Sequence, residues 1–107
     1  PKEGHRILDV GCGTGSFAVQ LKLAAPGAEV TGLDGDANVL AIARNKAQRA
    51  GLDLVWVQSS ALNLLFPEAR FHAVVSSLFF HHLDLESKKR ALAEIARVLE
   101  PGGELHI

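Results

Sequence analysis

Short apolar runs take turns along the chain with stretches whose apolar residues fall at helical spacing. Residues Arg6 to Val10, Arg-Ile-Leu-Asp-Val, are closed by glycines and fit a strand buried on both faces better than an alternating surface strand. Ser16 to Ala25 places Phe17, Leu21 and Ala24 one helical turn apart, and Pro26-Gly27 stops that helix. Glu29 to Asp34 reads as a second strand. Asp36 is a suitable N-cap for a helix from Ala37 to about Ala50, with Val39, Leu40, Ala43 and Ala47 on one face and Gly51 at its end. Leu54 to Gln58 predicts a third strand, and Ser59 to Arg70, broken by Pro67, predicts a mixed connection without a clear helix. Phe71 to Ser77 predicts a fourth strand centred on Val74 and Val75. Glu86 to Leu99 sets Leu92, Ile95 and Leu99 against Lys88, Lys89, Glu94 and Arg97, an amphipathic helix. Pro101-Gly102-Gly103 is expected to end it, and Glu104 to Ile107 to begin a fifth strand.

Strands alternating with helices imply right-handed βαβ units. The predicted class is therefore α/β, a doubly wound parallel sheet of about five strands with helices on both faces. No repeat, linker or low-complexity stretch interrupts it. A chain of 107 residues holds one core, so one domain spanning 1–107 is expected. The last strand stops with nothing to flank it and the first begins soon after Pro1, so both ends are expected to be cuts from a longer protein.

Composition adds exclusions. Hydrophobic residues at 48% and charged residues at 21% are ordinary globular values, so the chain is expected to fold. A formal charge of -1 leaves no electrostatic footprint for nucleic acid or a membrane surface, and neither partner is expected. The single cysteine, Cys12, can form neither an internal disulfide nor a Cys-based zinc site, which suits a reducing compartment. No apolar run approaches ~18 residues and no signal-peptide pattern opens the chain, so a soluble cytoplasmic protein is expected.

Candidate chemistry starts at Asp9-Val10-Gly11-Cys12-Gly13-Thr14-Gly15, between the first strand and the first helix. Open α/β sheets bind ligands at the carboxyl ends of their strands. Glycines there let the backbone turn sharply and approach a ligand closely, while N–H groups at the helix start favour a carboxylate or phosphate near Gly13 to Ser16. The spacing is GxGxG; the dinucleotide fingerprint GxGxxG would need its third glycine where Ser16 stands. Asp34 closes the second strand nineteen positions after Gly15, close to the ~20-residue offset at which an acid accepts both hydroxyls of an unphosphorylated ribose.

The segments Ile7-Leu-Asp-Val-Gly-Cys-Gly-Thr-Gly15, Val30-Thr-Gly-Leu-Asp34, Phe71-His-Ala-Val-Val-Ser-Ser-Leu-Phe-Phe-His-His-Leu83 and Arg97-Val-Leu-Glu-Pro-Gly-Gly103 resemble class I S-adenosylmethionine-dependent methyltransferases, most of all the ubiquinone and menaquinone branch. The resemblance covers essentially the whole chain and implies a Rossmann-like fold, here truncated before the family's last two strands. It implies S-adenosylmethionine as cofactor, S-adenosylhomocysteine as product and a small-molecule methyl acceptor. By the same resemblance Asp9 and the backbone of Gly11, Cys12, Gly13 and Gly15 would surround the methionine moiety, Asp9 favouring its ammonium and the helix start its carboxylate. Asp34 would hold the ribose, Gly35 and Val39 would border the adenine, Ala61 would offer backbone to the ring edge, and Ser77 would lie near the transferable methyl. Two positions depart from the family pattern. Ser59-Ser60-Ala61 replaces Gly-Asp-Ala, so the Ser60 hydroxyl stands where a carboxylate accepts the adenine amino proton, and His72 replaces the acid of Phe-Asp.

His81 and His82 follow the fourth strand, where one is a candidate general base, although such a pair more often shapes a loop and lacks further zinc ligands. Cys12 beside the helix start is read as a small packing residue despite a position that favours a thiolate. Trp56, Phe79 and Phe80 are read as core, and Lys88-Lys89-Arg90 as a solvated face. Methyl transfer from a sulfonium is an in-line displacement that alignment and water exclusion can largely accelerate, so no single catalytic residue is required. Because the family's remaining strands and its N-terminal cover are not in these 107 residues, the chain alone is expected to bind cofactor with little turnover, and its fifth strand to offer an open edge for a second copy. The alternatives are a fragment of an NAD-dependent oxidoreductase, disfavoured by Ser16 and the absence of tyrosine, and a degenerate non-catalytic Rossmann-like domain marked by Ser60 and His72.

Overall fold

The computed structural model describes residues 4–76 and 83–106. Five parallel strands, β1 (Arg6–Val10), β2 (Glu29–Asp34), β3 (Val55–Gln58), β4 (Phe71–Val75) and β5 (Leu99–His106), lie in the order β3-β2-β1-β4-β5. Helices α1 (Ser16–Ala24), α2 (Ala37–Arg49) and α3 (Leu85–Val98) connect them. Leu8, Val10, Leu33, Phe71 and Val74 pack with Ala91, Ile95 and Val98 of α3 on one face. Ile7, Val30 and Val75 pack with Ala18, Leu21 and Ala25 on the other. Burial on both faces is why these strands read as nearly unbroken apolar runs. The chain steps outward from β1 to β3 and then returns to the far side of β1 for β4, a reversal of winding that opens a crevice at the carboxyl ends of the strands.

The strand and helix expectations hold at the first two strands residue for residue, and Asp36 caps α2 by accepting from Asn38 N–H at 2.8 Å. Three details are corrected. The buried face of α3 is Ala91, Ile95 and Val98, whereas Leu92 is 40% exposed, because small Ala91 allows the closer approach to the sheet. In α1, Ala18, Val19 and Leu21 are buried, Ala24 is exposed, and Phe17 borders a hollow of about 480 Å³ against Ile7, Ala73 and Val75. Pro101-Gly102-Gly103 lies inside β5 instead of preceding it. β5 is an edge strand, so the missing proline N–H breaks no ladder on its outer side, and the pairing shifts register between Phe71 and Ala73. A Cβ at Gly103 would sit 2.9 Å from the Glu100 carbonyl oxygen and 3.1 Å from that of His72, so the irregular stretch requires glycine there.

His72, read as a departure from the family acid, is a structural acceptor. Its Nδ1 accepts from the Arg6 backbone N–H at 2.9 Å, its ring stacks on His5 at 4.4 Å, and its Nε2 lies 3.5 Å from a Glu100 carboxylate oxygen. Ser77, Phe79, Phe80, His81 and His82 lie outside the described residues, so the roles expected of them have no structural counterpart here.

Residues 59–70 contain no helix and are clasped by the polar side of α3. Leu64 N–H donates to Glu94 Oε1 at 2.7 Å, and Arg97 donates to the carbonyls of Phe66 and Leu64 and to Glu94. This clasp positions the chain segment that follows β3. Replacing Arg97 with alanine should lower the melting temperature and speed amide hydrogen exchange across 59–70 more than across α2. Exchange spread evenly over the chain would contradict that assignment.

Candidate functional site

The loop after β1 is built by three glycines with positive φ, Gly11 at 70°, Gly13 at 56° and Gly15 at 84°. The N–H groups of Gly11 and Cys12 both donate to the Leu33 carbonyl, at 2.8 and 2.9 Å, and Gly15 N–H donates to the Cys12 carbonyl at 3.0 Å. Gly13 N–H donates to Asp34 Oδ2 at 2.9 Å, and Asp36 N–H donates to Asp34 Oδ1 at 3.0 Å. The Asp34 carboxylate is thus held from both sides by backbone, with lone pairs left over for further donors. Lys46 of α2 reaches the same loop through the hydroxyls of Ser16 at 2.8 Å and Thr14 at 3.4 Å.

Gly15 answers two demands at once. It is the left-handed N-cap of α1, and a Cβ there would lie 2.8 Å from the Cβ of Ala43 and 3.0 Å from the Trp56 ring. Trp56, expected as core, is half-buried and lies across the sheet beneath this loop, where a Cβ on Gly32 would also run into its ring. Gly13 shares the positive φ but has open space where a Cβ would project. Gly15→Ala should therefore destabilise the chain by about 2 kcal/mol or more, from the left-handed backbone plus the forced shift of α2. Gly13→Ala should cost only the backbone part, about 1 kcal/mol. Urea unfolding of the two variants separates these costs, and equal losses would refute the packing role of Gly15.

Between the ends of β2 and β3 lies a hollow of about 410 Å³, bounded by Gly11, Asp34 and Gly35 on one side and by Gln58, Ser59, Ser60 and Ala61 on the other, with Leu33 between. Ser59 N–H donates to the Asp34 carbonyl at 3.1 Å and the Gln58 side-chain amide to the Gly35 carbonyl at 3.4 Å, fixing the two strand ends to each other. The structure brings Gly11, Asp34, Gly35, Ser60 and Ala61 together here and ties Gly13 to them through Asp34. Val39, half-buried in the first turn of α2, does not line the hollow, and Cys12 and Gly15 are buried beneath the loop. Leu33, Gln58 and Ser59 line it without having been singled out by the sequence. Their signal was position alone, at or just past the carboxyl ends of β2 and β3. Lys46 had no such signal, because its contact crosses thirty residues.

Asp9 is fully buried, standing between Gly32 and Val75 in the strand register, and neither of its carboxylate oxygens has a partner among the described residues. Burial first, and then the nearby Asp34 carboxylate, push its pKa up to about 7. Burial, with Asp9 and Asp34 adding to it, pushes the Cys12 thiol up to about 12, so it stays protonated and acts as packing. An uncompensated buried carboxyl is costly, and a cationic donor brought against it would remove the cost.

Residues 7–103 match the family described as Methyltransferase domain. The chain belongs to that family. As a methyltransferase domain it is 45% identical over 104 residues to the demethylmenaquinone methyltransferase of Thermus thermophilus, covering 97% of this chain and 46% of the relative. It is 34% identical over 106 residues to the ubiquinone/menaquinone biosynthesis C-methyltransferase UbiE of Bdellovibrio bacteriovorus, covering 99% and 44%. The chain therefore spans less than half the length of either relative. Among solved structures, the cyclase SpnF superposes with a TM-score of 0.89 at 34% identity, over 97% of this chain and 38% of that one. That neighbour is named for a cyclisation, so likeness of fold does not by itself choose the reaction.

Proposed function

We propose that residues 1–107 are the S-adenosylmethionine-binding core of an enzyme that methylates a small, quinone-like acceptor. The observation that carries this reading is the Asp34 carboxylate, held by two backbone donors at the end of β2 and opening onto the hollow that runs to Ser60 and Ala61. The acceptor class is carried over from the names of the Thermus and Bdellovibrio relatives.

The residues present fit the cofactor on two counts. The hollow offers one carboxylate for a pair of ribose hydroxyls and an uncharged stretch for a base. The buried Asp9 carboxyl, without a partner among the described residues, suits an ammonium. When bound, S-adenosylmethionine supplies an electrophilic methyl on a sulfonium. Asp34 would accept from the ribose, Gly35 would border the base, and Ser60 and Ala61 would meet its edge. Asp9 would face the ammonium beside the backbone of Gly11, Cys12, Gly13 and Gly15. Four of the loop N–H groups already bond within the chain, so the cofactor carboxylate would be met by the start of α1 beyond Gly15. Catalysis would rest on holding the methyl in line with the acceptor and keeping water out.

No helix among the described residues is long and apolar enough to cross a membrane. Pairing of a second copy along β5 belongs to the same proposal, although Pro101 and the register shift leave that edge a short regular run. Calorimetric titration of the chain with S-adenosylmethionine, S-adenosylhomocysteine and NAD tests the reading. Saturable binding of the first two without NAD supports it. NAD binding instead would favour a dehydrogenase core, and binding of none a degenerate domain.

A further inference from the structure

Resting on the reading of the hollow as a cofactor site, we propose that Arg90 of α3 is a positioning residue for it, holding the turn that forms one wall without being required by the fold. That wall is Ser59, Ser60 and Ala61. The chain is closed into a turn there by Asn63 N–H, which donates to the Ser60 carbonyl at 3.1 Å, and by Leu62 N–H, which donates to Ser60 Oγ at 3.1 Å. Both bonds stay inside the turn. Ser59 N–H is anchored on the Asp34 carbonyl and Leu64 N–H on Glu94, so residues 60–63 span the gap between two fixed points. Across that span, among the described residues, the one hydrogen bond from another element is Arg90 Nε donating to the Leu62 carbonyl at 2.9 Å.

Three side chains along one edge of α3 meet alternate residues of the connection in the same order. Arg90 takes Leu62, Glu94 takes Leu64, and Arg97 takes Leu64 and Phe66. Steps of four and three residues on a helix rise about 6 and 4.5 Å. Two residues of extended chain advance about 6.6 Å, a comparable spacing. The helix therefore sets how far along its path the connection lies, and with it where the wall stands relative to Asp34. The three contacts differ in burial. Glu94 and Arg97 hold a stretch that delivers buried Leu64 to the core, whereas Arg90 is exposed and holds the turn that reaches the hollow. Ala61 and Leu62 also touch the core, so loss of Arg90 should leave the turn near its place and free only its orientation. An exposed bond of this kind adds little to global stability. A site whose wall is formed only part of the time nevertheless loses affinity by that fraction.

The test sets Arg90→Met, which keeps most of the stem and removes the donor, beside Arg97→Ala. For Arg90→Met the melting temperature should stay within about 3 °C of the parent. Its calorimetric affinity for S-adenosylhomocysteine should fall about fivefold, the worth of one hydrogen bond. Exchange of the Leu62 and Asn63 amide hydrogens should speed up in the free variant and return to the parental rate at saturating ligand, which a general loosening of the chain would not give. Arg90→Lys still carries a donor for the Leu62 carbonyl and should recover most of the lost affinity. Arg97→Ala should show the larger fall in melting temperature. Parental affinity in Arg90→Met, a melting temperature that falls as far as in Arg97→Ala, or no recovery in Arg90→Lys would each overturn the inference and leave the cofactor reading standing. Failure of the parent chain to bind S-adenosylhomocysteine overturns both.

Discussion

Replacing Asp9 with asparagine should flatten the pH dependence of unfolding between about pH 4 and pH 7 and make the chain more stable at pH 8. The carboxyl titrates near its ordinary value of 3.8 in the unfolded chain and at about 7 when folded, with burial the larger cause and the Asp34 charge the lesser. A raised acid pKa means that the folded state binds the extra proton. The benefit is complete below pH 3.8 and is lost as pH rises through about 7, the reverse of an acid stabilised by a salt bridge. A shift of that size is worth on the order of 4 kcal/mol, a large part of the stability of a domain this small. Asparagine keeps the shape and removes the charge, so urea midpoints at pH 5 and pH 8 should converge in the variant and diverge in the parent. A parent chain that grows more stable toward pH 8, with the variant tracking it, would contradict a buried carboxyl that has no partner among the described residues. On the proposed function an ammonium against Asp9 favours the ionised form, so cofactor affinity in the parent should strengthen as pH passes 7 and the variant should lose that trend.

Asp34→Ala should weaken S-adenosylhomocysteine binding by about a hundredfold or more, because hydrogen bonds from two hydroxyls to a carboxylate are each worth about 1.5–3 kcal/mol. The same change removes the acceptor for the Gly13 and Asp36 N–H groups, so some stability is lost as well. Asp34→Asn separates the two effects. It keeps one acceptor oxygen for the backbone but presents an amide NH2 to the other donors, so stability should recover more than binding does. Calorimetry paired with urea unfolding on both variants gives the comparison. Binding by Asp34→Ala at parental strength would remove the ribose assignment.

The exposed rim and buried floor of the site were legible to different degrees. Asp34 and Gly11 could be placed from strand boundaries and motif spacing, since a parallel strand delivers its last residue to the carboxyl edge whatever else the chain does, whereas Gly35 and Ala61 came only with the family resemblance. Leu92 was misassigned on α3 because spacing by bulk favours leucine over Ala91, while packing against the sheet favours the smaller side chain. Glu94 and Arg97 read only as part of the polar side of an amphipathic helix. Their bonds to Leu64 and Phe66 depend on how the connection folds back over α3, which periodicity does not encode. The register shift in β5 was hidden in the same way behind a Pro-Gly-Gly run that usually means a turn.

Local rules along the chain were enough to determine the α/β class, a parallel sheet and the glycine loop with the acid that follows it. These follow from backbone sterics, hydrophobic period and short motifs, while the family came from the resemblance of whole segments. Only the tertiary structure decided that Asp9 has no partner among the described residues, that Gly15 is required by Ala43 and Trp56, and that Asp34 is locked to Gly13. Desolvation, close packing and hydrogen-bond pairing depend on which distant residues meet, and that is fixed by the sheet order rather than by any neighbour in sequence.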